Sequence, residues 1–213
     1  MIYKNINPDK ALIWRILHRD NLSWILDNGL HCANSKILSP NYINIGNPDL
    51  IDKRRHRKVP IEPGGTLADY VPFYFTPFSV MMMNIHSGRG VVRRRNEEIV
   101  ILVSSLHHAH SIGLSFVFTN AHAYPDWTNY YSDLAHLRNI DWKILQHRDF
   151  KRDADDLRKM ERYQAEALIF KHLPIDGILG IVCYTEQLKH DIDKQVQARS
   201  LALKVYARTK WYF

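Results

Sequence analysis

Apolar residues recur along the whole chain in short blocks, and their spacing alternates between two kinds. Residues 12–17, 71–75, 98–103, 116–119 and 178–184 are compact apolar runs of strand length, and the nearly unbroken one at 98–103 predicts a central strand buried on both faces. Residues 21–27 instead place Leu22, Ile25 and Leu26 at i, i+3 and i+4, with Gly29 positioned to end a helix. A polar helix is predicted over 186–197, after the last apolar run. Strands and helices do not alternate strictly, so the pattern predicts an α+β domain rather than a doubly wound sheet.

Two stretches break the pattern. Residues 39–65 are rich in proline, glycine and asparagine around the basic run Lys53-Arg54-Arg55-His56-Arg57-Lys58, and an irregular stretch of that length predicts a binding element. Residues 120–156 are polar and interrupted by Pro125, yet Trp127, Tyr130, Tyr131 and Trp142 predict an ordered excursion. With 213 residues and no repeat or hydrophilic linker, the chain reads as one domain. No apolar run approaches the roughly 18 residues of a bilayer span, and residues 1–10 lack a secretory apolar segment, so a cytoplasmic protein without membrane contact is expected. Two distant cysteines, Cys32 and Cys183, exclude a disulfide scaffold.

Charge changes the picture. A formal net charge of +7 favours anionic partners, nucleic acid first, although a solvated basic surface that only maintains solubility accounts for it as well. Several chemistries are discounted. There is no Walker A or GxGxxG sequence, and Ser87-Gly88-Arg89-Gly90 and Gly64-Gly65 read as turns. His107, His108 and His110 do not converge on a metal at their spacing, and His31 and Cys32, being adjacent, point apart. What remains is arginine: Arg54, Arg55 and Arg57, then Arg93-Arg94-Arg95, then Arg148, Lys151, Arg152, Arg158 and Lys159, groups suited to phosphate. Glu166, just ahead of the apolar run 167–170, reads as a functional carboxylate or as a cap, and Glu161 competes with it.

The chain also resembles the DarT family of bacterial toxins that ADP-ribosylate single-stranded DNA. The resemblance rests on Ile13-Trp14-Arg15-Ile16-Leu17-His18 with Asp20-Asn21-Leu22, and on Arg54-Arg55-His56-Arg57-Lys58-Val59-Pro60. It continues through Pro63-Gly64-Gly65, residues 69–75, residues 116–119, Gln164-Ala165-Glu166 and Trp211-Tyr212. It implies the ADP-ribosyltransferase fold, a split mixed sheet with flanking helices, spanning residues 1–213. NAD is the implied ADP-ribose donor, without a metal. Residues 39–58 correspond to the NAD-binding loop and 120–165 to the loop that receives DNA.

Residue by residue, Glu166 matches the catalytic glutamate, and Arg55 matches an arginine that holds NAD and helps to deprotonate the base. Arg15, Ile16, Leu17, His18, Asn21, Gly29 and Tyr74 correspond to the NAD site. Arg54, Arg57, His122, Tyr124, Trp127, Arg152 and Arg158 correspond to the DNA side. Tyr124, Trp127 and Tyr130 read equally well as base-stacking residues and as a small core beneath the loop. Where many thymine-modifying relatives have histidine and arginine, this chain has Arg15 and Phe78, which implies guanine ahead of thymine. The family also implies a macrodomain antitoxin as partner, and the enzyme is expected as a monomer. Transfer to RNA or protein, and a non-catalytic basic nucleic-acid-binding module, are the competing readings.

Overall fold

The computed structural model describes residues 2–213. In chain order its elements begin with β1 (Leu12–His18), α1 (Leu22–Asn28), β2 (Leu30–His31), α2 (Pro48–His56), β3 (Tyr70–Tyr74) and α3 (Val80–Ser87). They continue with β4 (Ile99–Ser105), α4 (Leu106–Ser111), β5 (Phe116–Thr119), β6 (Tyr130–Tyr131), α5 (Trp142–His147) and α6 (Lys159–Tyr163). The last are β7 (Glu166–Phe170), β8 (His172–Leu173), β9 (Gly180–Cys183), α7 (Glu186–Ala198) and β10 (Lys204–Ala207). Eight strands form one sheet in the order β10-β9-β4-β1-β3-β7-β5-β6, and β2 pairs with β8 beside it. Only β9 and β10 are parallel, so the α+β expectation holds.

The sheet is split. β1 pairs with β4 along its full length, from Leu12 opposite Ser105 to His18 opposite Ile99. On its other side it meets β3 at a single register pair, Trp14 opposite Tyr74. The two half-sheets therefore join at one point and diverge from it. Arg15 crosses the divergence, its Nη1 donating to the Pro72 carbonyl at 2.8 Å.

The first half-sheet lies within one large core, where Ile99, Val100, Ile101 and Leu102 are all fully buried, as their continuous apolar run requires. In the second, alternation sorts residues by face. Val71, Phe73, Ala167, Ile169, Phe116 and Phe118 point into the large core. Tyr70 and Leu168, with Val117, point the other way, into a smaller cluster closed by Val59, Leu67, Ala123 and Tyr130. Tyr74 and Glu166 are paired in the same register, on that second face.

Two expected loops contain helices. Asn47 accepts from the Leu50 N–H at 2.9 Å and Pro48 occupies the first turn, so α2 starts on strong capping chemistry. It contributes no buried residue, which is why no apolar periodicity marks it. The 120–165 stretch holds α5 and α6, tied together by Arg162, which donates to Asp141 at 3.1 Å and to both oxygens of Asp156. Both cysteines are buried and free. No helix among the described residues is long and apolar enough to cross a membrane.

Candidate functional site

Glu166 opens β7 and is 3% exposed. Its backbone N–H donates to the Thr119 hydroxyl at 3.1 Å, which fixes the start of β7 against the end of β5. A carboxylate buried this far must be paired. Arg54 Nη1 donates to Oε2 at 2.9 Å and the Ala123 N–H donates to Oε1 at 2.9 Å. His122 Nε2 lies 4.0 Å from Oε1. Burial pushes the Glu166 carboxyl up, but Arg54, His122 and the Ala123 N–H outweigh it, and the net direction is down. Glu166 is thus an anion at neutral pH.

Each partner is placed by local sequence. The end of α2 is pinned to the second half-sheet, because the Leu67 N–H donates to Arg57 O and the Val59 N–H to Gly65 O, both at 2.9 Å. Arg54 and Arg57, three residues apart, therefore share one side. Arg54 reaches Glu166, while Arg57 binds Asp126 and donates to the Pro125 carbonyl at 3.1 Å, fastening the 120s loop to α2. His122 Nδ1 accepts from the Tyr124 N–H at 3.2 Å, which leaves its proton on Nε2, directed at Glu166. Burial lowers the His122 pKa below the usual 6.5, against the opposing pull of Glu166, so the ring is neutral. Tyr74 OH donates to Met81 Sδ at 3.4 Å; burial and the Glu166 charge push its pKa well up, and it stays protonated.

The site thus pairs one ionised carboxylate with unspent cationic donors. Arg54 Nη2 and Arg15 Nε are both buried and have no partner among the described residues. Donors left so invite an anionic ligand beside Glu166. No group of three or more His, Cys, Asp or Glu among the described residues could hold a metal.

Of the other residues expected at the site, Arg55, one residue on from Arg54, lies about 100° around the helix, is exposed, and makes no ion pair among the described residues. Arg54, expected on the DNA side, is the arginine that pairs with Glu166. Ile16 and Leu17 are core residues, and the His18 ring is buried with Nε2 3.6 Å from Glu98. Asn21 is buried and clamps the 39–46 segment, its side chain bonding both the N–H and the carbonyl of Ile43 at 2.8 Å. Gly29 ends α1 at φ +73°, where a Cβ would stand 2.5 Å from Leu173 O; it serves chain packing.

On the DNA side, Tyr124 and Trp127 are part-exposed, and the Arg158 guanidinium lies 4.7 Å over the Trp127 ring. Arg152 is exposed without an ion pair among the described residues, and Tyr130 belongs to the smaller core. Thr119, the Ala123 N–H and Asp126 carry no functional reading in the sequence. A polar Thr119 closing the apolar run 116–118 is the one signal that marks the spot.

The family model described as "ssDNA thymidine ADP-ribosyltransferase, DarT" matches residues 14–213. A DNA ADP-ribosyl transferase of Escherichia coli O127:H6 is 60% identical over 210 residues, covering 98% of this chain and 96% of that one. The structure of Thermus sp. 2.9 DarT in complex with ADP-ribosylated ssDNA aligns with a TM-score of 0.89 at 32% identity, over 97% of this chain and 98% of that one. Thermus sp. 2.9 DarT in complex with NAD+ aligns at 0.85, over 97% and 100%. The split α+β sheet is accordingly the ADP-ribosyltransferase fold. The chain belongs to the DarT family of DNA ADP-ribosyltransferases.

Proposed function

We propose that this protein transfers ADP-ribose from NAD to a thymine of single-stranded DNA. The bond between nicotinamide and the ribose anomeric carbon breaks, a bond from the base nitrogen to that carbon forms, nicotinamide leaves, and the base nitrogen gives up its proton. The observation that carries the proposal is the buried Glu166 carboxylate, held ionised beside Arg54 with the spare donors Arg54 Nη2 and Arg15 Nε. A carboxylate that accepts from a ribose hydroxyl opposes the positive charge developing at the anomeric carbon, as in glycoside hydrolysis. The two guanidinium donors suit a diphosphate. Solved relatives bound to NAD+ and to ADP-ribosylated ssDNA support the same donor and acceptor.

The two residues that implied guanine are both held by contacts within the chain. Phe78 is 0% exposed, lies under the Arg148 guanidinium at 4.5 Å, and its carbonyl accepts from Tyr163 OH. Arg15 donates through Nη1 to the Pro72 carbonyl and keeps Nε for a ligand. The thymidine in the description of the matching family model favours thymine. A base edge is reached only when unstacked, so single strands are the substrate. The test is incubation with NAD and single-stranded oligonucleotides each lacking one base. A mass gain that disappears only with thymine supports the proposal, a gain that disappears only with guanine overturns the base assignment, and no gain on any strand overturns the reaction.

A monomeric cytoplasmic toxin restrained by a macrodomain antitoxin completes the proposal, because unreversed base modification blocks the host's own DNA. Growth arrest on expression, relieved by a macrodomain protein that strips the mark, tests it. Unimpaired growth of cells whose DNA carries the modification would count against a toxin.

A further inference from the structure

The Arg93-Arg94-Arg95 cluster takes no part in the site above. It stands on the segment between α3 and β4, where His86, Arg93, Arg94, Arg95, Glu97 and Tyr184 line a cavity of about 360 Å³. Three arginines line it with two glutamates, Glu97 and Glu98, and Arg89 lies on the same segment. The charge of Glu98 is already committed: it accepts from the Arg95 N–H at 2.8 Å and from Arg94 Nη1 at 3.4 Å, and it faces His18 Nε2 at 3.6 Å. Arg94 Nε is buried without a partner, and Arg89 and Arg93 make no ion pair among the described residues. Arg95 is 79% exposed on its side chain, with Nε 3.7 Å from Glu98. Val92, 69% exposed among these arginines, offers apolar surface at the rim.

The cluster is joined to the reaction site. Asn47 Nδ2 donates to the Gly90 carbonyl at 3.0 Å, and Asn47 is the cap of α2. Lys53 and Arg55 are exposed in the last turn of α2 beside Arg54, and Asp49 and Asp52 are exposed in its first half. At about 1.5 Å per residue α2 spans about 13 Å, the reach of roughly four stacked nucleotides.

We propose that the arginine loop, residues 89–95, is a phosphate-docking site for the strand beyond the modified nucleotide. Guanidinium groups with free donors beside an apolar tip fit a phosphodiester backbone with its bases splayed outward. Tight binding then needs a strand longer than the reacting centre, independently of base sequence. This inference rests on the single-stranded DNA reading above.

The test compares R93A/R95A with wild type on oligonucleotides of about 5 and about 20 nucleotides carrying a central target base. Each phosphate contact contributes about 0.7 to the slope of log affinity against log salt on a single strand, so losing two should flatten the slope for the long strand by about 1.4. KM for the long strand should rise, while KM for the short strand and for NAD stays at the wild-type value. R93K/R95K should restore the slope. An unchanged slope for the long strand, in a wild-type enzyme that modifies both strands, overturns the docking site alone. A raised KM for NAD with an unchanged slope also overturns it and assigns the loop to the donor's diphosphate. Failure of wild type to modify either strand overturns the underlying reaction instead.

Discussion

The two half-sheets are built from similar strands and do different work. The half made of β10, β9, β4 and β1 spends nearly all of its side chains on packing, Arg15 of β1 excepted: the first four residues of β4 are fully buried, and α7 lays Leu188, Ile192 and Val196 over the core. The half made of β3, β7, β5 and β6 gives one face to the same core, but its other face carries Tyr74 and Glu166 beside only a small apolar cluster. Where the first half gains stability from each buried methylene, the second holds a buried charge that is tolerable only while paired. The contrast predicts that substitutions in the two halves fail in different currencies, activity on one side and folding on the other.

The largest expected effect is Glu166→Gln. It keeps the shape and the Ala123 hydrogen bond but removes the charge that opposes the developing cation, and loss of one such electrostatic group costs on the order of 10²–10³ in rate. Mass spectrometry of the oligonucleotide product reads the loss, with circular dichroism showing an intact fold. A variant retaining wild-type rate would detach Glu166 from the chemistry.

Arg54→Ala against Arg55→Ala comes next, and it decides between neighbours. Removing Arg54 leaves Glu166 buried without its cation, at a cost of about 3 kcal/mol or more, whereas Arg55→Ala on the exposed side should fall within about 0.5 kcal/mol. The pH dependence carries the sign. In wild type the Glu166 pKa lies below its usual 4.5, so the stabilisation from the pair is complete above that value and disappears as pH falls through the depressed one. Without Arg54, burial is the leading influence and pushes the pKa up. The acid limb of the activity profile should then move to higher pH in Arg54→Ala and stay in place in Arg55→Ala.

Ile101→Ala probes the other half. Truncating a fully buried residue in β4 should cost about 2–5 kcal/mol in denaturant unfolding while leaving the rate per folded molecule unchanged. A large drop in kcat from this substitution would mean that the half-sheets are not separable.

How much of this the sequence showed follows from the same contrast. β1, β3, β4, β5 and β9 are legible because strands buried along most of their length are written as apolar runs, whereas β7 shows only as the apolar run 167–170. β2, β6 and β8 are two residues long and leave no period to read, and β10 is a partly exposed strand holding Lys204. α2 is hidden from periodicity because it buries nothing, although Asn47-Pro48-Asp49 is a start signal that would have revealed it. Glu166 is visible as a carboxylate ahead of an apolar run. The choice between Arg54 and Arg55 is not, because adjacent arginines differ only in helical phase. The Ala123 N–H leaves no mark in any sequence, since every residue but proline has one.

The smallest effect concerns the rim of the second half. Trp127 is 38% exposed, and the Arg158 guanidinium lies 4.7 Å over its ring. Stacking on an aromatic contributes about 1–3 kcal/mol per base, so Trp127→Ala should raise KM for the oligonucleotide severalfold or more. KM for NAD should not move, and with the ring already part-exposed the unfolding midpoint should barely shift. Arg158→Ala should do less, because the ring remains and only its cation is lost. If Trp127→Ala instead lowered stability with KM unchanged, the ring would belong to the packing of the loop, and the division between a half that folds and a half that reacts would have to be drawn nearer to Glu166.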